Sequence, residues 1–262
     1  MGKLIVLGNC ANQTSQYEAT SFVIDTGKVR ILLDTSPGVM RQLYRAGLLG
    51  TDIDLVIITH SHGDHSLGFP YFLFCNLLER TQGKRGPNTI PVIALPEVFK
   101  GVMEMFAFCY PPGKYPHFSV ENWRASPTEL TAFCFKDIKI TTTPVTHTVP
   151  TIGVRFEFDS FKITFSSDTI YDKKLVALAK ESHVLVHEAL GTSAIKEMVA
   201  QTKHSIAEDA GKAARDSGVQ KLILCHISPI FMDKINLLIN EAARYFKGDI
   251  FVPSELQVTE IK

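Results

Sequence analysis

The chain has 262 residues, 45% apolar and 21% charged, which excludes a disordered polyampholyte and fits a globular protein. Lys and Arg total 27 and so do Asp and Glu, so net charge gives no overall pull toward nucleic acid or anionic membrane. The five cysteines (Cys10, Cys75, Cys109, Cys134 and Cys225) include no C-x-x-C pair, which argues against a disulfide framework or a cysteine zinc knuckle.

A reducing, cytoplasmic setting follows from that cysteine usage. No run nears the roughly 18 apolar residues of a membrane span, and Met1–Gly8 reads as a first strand, not a signal peptide. No membrane is expected as a partner. The length allows one large domain or two small ones. No linker, composition shift or short repeat divides the chain, so a single domain over 1–262 is expected.

In chain order, Lys3–Leu7, Ser21–Asp25 and Val29–Leu33 read as strands, the last two joined at Thr26-Gly27-Lys28. Gly38–Ala46 has helical spacing, with Gly47 as its stop. The apolar strand Leu55–Ile58 leads into a histidine cluster. Phe69–Leu78 reads as a buried helix, Gly83–Pro91 as a loop, Val92–Leu95 as a strand and Glu97–Phe108 as a helix. Pro111–Pro116 is irregular, because its prolines remove backbone donors. Ile138–Thr143, Ile152–Phe158 and Lys162–Phe165 are strands, with Asp159-Ser160 as a hairpin turn. Val184–Val186 and Leu222–Leu224 are strands, and Ser205–Ser217 and Lys234–Phe246 helices. A β-rich opening before β/α elements thus occurs twice, as two similar halves would produce.

The cluster is Thr59-His60-Ser61-His62-Gly63-Asp64-His65, three imidazoles and a carboxylate in a glycine-containing loop at a strand end. Divalent metals such as zinc take these donors, and a catalytic site needs several of them converging. It is not the helical H-E-x-x-H arrangement. Four other apolar strands end on metal-type residues: His147 after Thr143–Thr146, Asp168 after Ile163–Ser167, His226 after Leu222–Cys225, and His187-Glu188 after Val184–Val186. Strand ends along one edge turn their loops toward a common cleft. His60, His62, Asp64, His65, His147, Asp168 and His226 supply seven donors, enough for two metals if one carboxylate bridges. Asp168, isolated between the histidine groups, is the best candidate for that bridge. His187 reads as structural, as do His117 and His183, and Cys225 as a small core residue.

With these motifs the chain resembles the metallo-β-lactamase superfamily, in the phosphodiesterase branch typified by ribonuclease Z. Thr59–His65 matches the H-x-H-x-D-H signature, and His147, Asp168 and His226 follow in the family's ligand order. Val186-His187-Glu188-Ala189 with Lys203-His204-Ser205 looks like the branch's paired H-E-A and H-S-T segments. The resemblance implies an α/β fold, a four-layer αββα sandwich. It implies one metal on His60, His62 and His147, another on Asp64, His65 and His226, with Asp168 and a metal-bridging hydroxide shared. Zinc is the first expectation for the two divalent ions, with manganese and iron as alternatives.

By the same resemblance Glu188 orients His204, the general acid, and Asp64 counts as catalytic as well as a ligand. A competing reading makes Glu188 a buried structural carboxylate and His204 the cap of a helix whose capping box is Ser205–Glu208. The family also implies a homodimer.

Three departures speak against tRNA and for a small phosphodiester or ester. The loop from Gly8 reads Gly8-Asn9-Cys10-Ala11-Asn12-Gln13-Thr14, not glycine-rich. Only a hairpin's length separates His147 from Asp168, leaving no room for a tRNA-binding arm. Ile227–Phe231 lacks the aromatic-basic ending of the tRNA enzymes. Lys84, Arg85 and Lys114 are candidate phosphate-binding cations. Phe106, Phe108, Tyr110, Tyr115, Phe118 and Trp123 would form a lid, or else core or dimer interface. The expected function is a binuclear phosphodiesterase, the alternatives being a lactone or sulfate ester hydrolase on the same metals and a non-catalytic metal-binding scaffold.

Overall fold

The opening apolar runs form an antiparallel meander in the computed structural model, which describes residues 2–114 and 119–261. β1 (Gly2–Gly8), β2 (Ser21–Asp25) and β3 (Arg30–Leu33) pair in turn, Phe22 facing Leu33 across the β2–β3 hairpin. β4 (Leu55–Ile58), β5 (Thr89–Ala94) and β6 (Ser119–Arg124) continue the sheet in parallel from β3. The chain's last strand, β14 (Val258–Ile261), pairs antiparallel with β1. The order is β14-β1-β2-β3-β4-β5-β6. β4 is buried at every residue, as an unbroken apolar strand with neighbours on both sides must be.

Helices α1 (Val39–Arg45), α2 (Gly63–Ser66), α3 (Phe69–Thr81) and α4 (Pro96–Cys109) make this unit's connections. α1 stops where expected: Gly47 takes the left-handed conformation, φ 74°, that glycine adopts without strain. This unit comprises the chain to Asn9, Gln13–Arg124 and the end from Ser254.

The second unit, Cys10–Asn12 with Ala125–Pro253, repeats the plan. β7 (Thr131–Phe135), β8 (Ile138–Val145), β9 (Thr151–Phe158) and β10 (Phe161–Phe165) are antiparallel. β11 (Val184–Glu188), β12 (Lys221–Cys225) and β13 (Asp249–Phe251) then follow in parallel. Asp159, at φ 50°, makes the β9–β10 turn. α5 (Lys173–Ala179), α6 (Lys196–Gln201), α7 (Ala207–Ser217) and α8 (Ile235–Ala242) complete the unit. Its core joins Leu185, Leu222 and Leu224 of the sheet to Ala210, Ala214 and Leu238 of the helices. α7 approaches α8 so closely that a Cβ on Gly211 would lie 2.5 Å from the Ala242 oxygen.

Several sequence-predicted elements need correction, and α2, α5 and α6 form helices where none was expected. β5 begins at Thr89, so the loop is shorter than Gly83–Pro91. Pro91 pairs with Glu121 of β6, and β4 pairing starts one residue on at Val92, so its missing N–H breaks no bond to β4. The helix expected over Lys234–Phe246 is a tight turn at Pro229–Lys234 followed by α8, which ends at Ala242. α7 begins at Ala207, not Ser205. β6, β7, β13 and β14, which no apolar run announced, are strands. Of the expected lid, Tyr115 and Phe118 lie outside the described residues, as does His117.

Candidate metal centre

In the first unit the cluster grows out of β4 and is fastened to the end of β3. The Thr35 N–H donates to the His65 carbonyl at 2.7 Å and the Gly68 N–H to the Thr35 carbonyl at 2.9 Å. A Cβ on Gly68 would lie 2.0 Å from the Ser36 oxygen, so only glycine fits there. The single turn of α2 carries Asp64 and His65, and Ser66 Oγ donates back to the His62 carbonyl at 2.9 Å. His65 Nε2 stands 3.3 Å from Asp64 Oδ2, and the His60 ring lies 4.8 Å from His62 and 4.2 Å from His65.

Both buried imidazoles are held through Nδ1. His65 Nδ1–H donates to Asp34 Oδ2 at 2.8 Å, and His60 Nδ1–H to Thr59 Oγ1 at 3.0 Å. Thr59 Oγ1 in turn donates to Asp34 Oδ2 at 3.0 Å, and the Thr59 N–H to Asp34 Oδ1 at 2.8 Å. Asp34 therefore orients both rings, leaving each Nε2 as the ligand nitrogen, the usual outer support of a metal-bound histidine. Sequence reasoning missed Asp34. Its signal was present, since Asp34 too is a carboxylate ending an apolar strand, Ile31–Leu33.

In the second unit His147, Asp168, His226, Glu188 and His204 converge from the ends of β8, β10, β12 and β11 and from the turn after α6. Asp168 Oδ2 lies 3.8 Å from His147 Nε2 and 3.4 Å from His226 Nε2. The His147 Nδ1–H donates to the Lys203 carbonyl at 3.1 Å, again freeing Nε2. His204 Nδ1–H donates to both Glu188 oxygens at 3.1 Å. Donor atoms of Asp168, Glu188 and His204 fall within 4.8 Å of one another. Glu188 is fully buried. Burial pushes its carboxyl up, to about 7, against the hydrogen bonds from His204 and the Thr169 N–H that favour the anion. Burial pulls the neighbouring His187 down to about 4, and its Nδ1–H donates to the Glu188 carbonyl at 2.7 Å.

These donor sets fit a divalent metal. Two ligands at about 2.0–2.1 Å in a tetrahedral shell stand about 3.4 Å apart. The 3.3–3.8 Å separations of His65 from Asp64, and of His147 and His226 from Asp168, match that spacing better than a direct hydrogen bond. Backbone strain gathers here too. Of the eight described non-glycine residues with positive φ, four are Asp34, Ser167, Lys203 and His226, each in or beside the donor sets.

Other expected residues lie elsewhere. Lys84, Arg85 and Lys114 are exposed on loops of the first unit. Phe108 is 87% exposed, while Tyr110 stacks on Phe74 of α3 at 4.2 Å. Leu67, Pro70, Tyr71, Met105, Phe108 and Tyr110 line an apolar groove of about 570 Å³ between α3 and α4. His204 does not cap α7. Ile206 does, with its N–H donating to Asp209 Oδ2 at 3.2 Å, so Asp209 takes the place expected of Glu208. Ser205 Oγ instead donates to the Thr169 carbonyl at 2.6 Å. His183 stacks on Phe161, and Cys225 is buried.

Two mixed sheets flanked by helices, each with histidines and carboxylates at strand ends, define an α/β metal-dependent hydrolase. The β-lactamase superfamily domain matches residues 29–227, and the chain belongs to that superfamily. Ribonuclease Z of Ignicoccus hospitalis is 28% identical over an alignment covering 93% of each chain. Among solved structures, the metallo-β-lactamase fold protein YhfI from Bacillus subtilis is similar with TM-score 0.83 and 17% identity, covering 98% of both chains. The short form of human tRNase Z gives TM-score 0.79 and 19% identity, covering 99% of each. The fold is the metallo-β-lactamase fold. Among the described residues, no helix is long and apolar enough to cross a membrane.

Proposed function

We propose that the chain is a phosphodiesterase that works with two zinc ions, one on His60, His62 and His147, the other on Asp64, His65 and His226, with Asp168 shared. The matched span, 29–227, runs through both units and supports reading them as halves of one domain. Bound there, the ions would bring the pKa of water to about 7 and place positive charge against the attacked phosphoryl group. The observation that carries the reading is the His204–Glu188 pair beside Asp168. With Nδ1 committed to Glu188, Nε2 is the nitrogen left to hand a proton to the departing alkoxide. Glu188 fixes the ring through both its oxygens. Asp168 and Asp64 bring carboxylate oxygens that two cations would share with the histidines.

The test is hydrolysis of bis(p-nitrophenyl) phosphate beside a simple lactone and an aryl sulfate, by protein of measured metal content. Diester preference with about two metals per chain supports the reading. Diester inactivity with lactone or sulfate turnover keeps the metal site and replaces the substrate class. Metal binding without turnover of any of the three leaves the scaffold. A second reading, RNA as the diester, is favoured by the relatives named ribonuclease Z. A small diester is favoured by the short span between His147 and Asp168, which is occupied by β9 and β10. Cleavage of a precursor tRNA at rates matching the small diester would decide for RNA. A cytoplasmic homodimer completes the proposal. Free thiols at Cys109 and Cys134, both exposed, suit a reducing compartment.

A further inference from the structure

We propose that Lys203 is a substrate-binding cation, its ammonium taking a phosphate oxygen beside His204. The inference deepens the phosphodiesterase reading and rests on it for the identity of the anion. The turn after α6 holds Lys203 at φ 53°, a conformation costly for any residue with a Cβ. That conformation gives Lys203 two contacts with one candidate ligand. Its carbonyl accepts the His147 Nδ1–H at 3.1 Å, and its Nζ donates to the His147 carbonyl at 3.4 Å. The next residue is His204, whose ring stands 4.8 Å from that of His147 and 5.3 Å from that of His226. Lys203 is thereby held at its backbone carbonyl and at its ammonium, next to the proposed proton donor.

The ammonium is set to receive an anion. At 3.4 Å its bond to a neutral carbonyl is long, and an oxyanion at about 2.7–2.9 Å forms a stronger, charge-assisted one. Among the described residues no carboxylate pairs with Lys203, unlike Lys162, Lys196 and Lys212, each of which has a glutamate partner. The residue is exposed, so substrate reaches it without rearrangement of the core. Lys203 therefore contributes binding of the phosphoryl oxygens, and His204 contributes the proton. Lys84, Arg85 and Lys114 have no comparable contact with a candidate ligand.

The test compares wild-type protein with Lys203→Gln and Lys203→Arg, all zinc-loaded and of measured metal content. Gln keeps the strain of an unbranched side chain at positive φ, so the comparison isolates the charge. Isothermal titration with inorganic phosphate reads the anion site directly, and hydrolysis of bis(p-nitrophenyl) phosphate beside p-nitrophenyl acetate reads its use. Lys203→Gln should weaken phosphate binding about tenfold and raise the KM for the diester by a similar factor. Metal content should stay unchanged, any acetate hydrolysis should fall less than the diester reaction, and Lys203→Arg should restore most of both losses. Equal phosphate affinity in wild type and Lys203→Gln, or wild-type protein that binds no phosphate, overturns the assignment. So does a loss of metal in Lys203→Gln that Lys203→Arg fails to repair. Charge-dependent phosphate binding without diester hydrolysis leaves the Lys203 site standing and removes the phosphodiesterase reading instead.

Discussion

In the first unit His65 gives its Nδ1–H to a buried carboxylate, Asp34, and His60 gives its own to the hydroxyl of Thr59. In the second, His147 gives its Nδ1–H to a backbone carbonyl, that of Lys203. The two devices fix the same nitrogen for metal binding but differ electrically. A carboxylate draws on the Nδ1 proton and makes Nε2 more basic, whereas a neutral carbonyl mainly orients the ring. They differ in fragility as well. A side chain can be deleted by one substitution, while the carbonyl of Lys203 moves only if its left-handed backbone moves. The first unit concentrates its donors in one short loop with replaceable supports. The second draws them from several strand ends and braces one of them, His147, with the backbone.

The largest effect expected from breaking this arrangement is in the second unit. Asp168 Oδ2 faces both His147 and His226, so one substitution leaves two imidazoles without their shared anion. Asp168→Ala should lose bound metal and lower diester turnover by about 10³-fold or more. Metal analysis by mass spectrometry checks it, and full metal content would remove Asp168 from the ligand set. Next comes His204→Ala, which should keep its metals and lose about 10²–10⁴-fold on diesters with alkyl leaving groups. Aryl leaving groups depart without a proton and should be nearly spared. Equal loss on both substrates would end the general-acid role.

What the sequence revealed divides along the same physical line. Central strands such as β4 and β11 are buried at every position and show as apolar runs. β14 and β6 are the two edges of the first sheet, and β13 and β7 those of the second. Those four went unread because an edge strand pairs on one side only and tolerates polar residues, as in Ser119–Arg124. The histidine cluster was legible because seven adjacent residues carry it. Glu188 was legible as a strand-end carboxylate, but His204 and its pairing with Glu188 only through family resemblance, since nothing in a local pattern pairs residues 16 apart. Asp34 was readable as a strand-end carboxylate, but its role was not, because it supports the ligands from 31 residues before His65, in a contact that only the folded β3–β4 pair creates. Lys203 escaped for a different reason. Its part in orienting His147 is played by a carbonyl, which every residue has.

Asp34→Asn should therefore hurt more than its conservative shape suggests. Asparagine tolerates the φ of 60° at this position, so the backbone survives. Its amide, however, sets a donor or a neutral oxygen against His65 Nδ1 in place of a carboxylate. Zinc affinity, read by competition with a chromophoric chelator, should fall about 10–100-fold. An unchanged affinity would mean that Asp34 only ties β3 to β4.

The smallest effect belongs to Thr59→Val, an isosteric change that takes away the hydroxyl between Asp34 and His60. The change removes two hydrogen bonds, but only the neutral one to His60 holds a ligand ring directly; such a bond contributes about 0.5–1.5 kcal/mol, so zinc affinity should fall about 2–10-fold. The informative measurement is the double variant. Asp34 reaches His60 through Thr59, so once Asp34 is asparagine, part of what the hydroxyl transmits is already lost. Asp34→Asn with Thr59→Val should then cost less than the product of the two single effects, because contacting residues in one network are not additive. A double variant whose loss equals that product would show the two supports acting independently, and the relay from Asp34 to His60 would have to be abandoned.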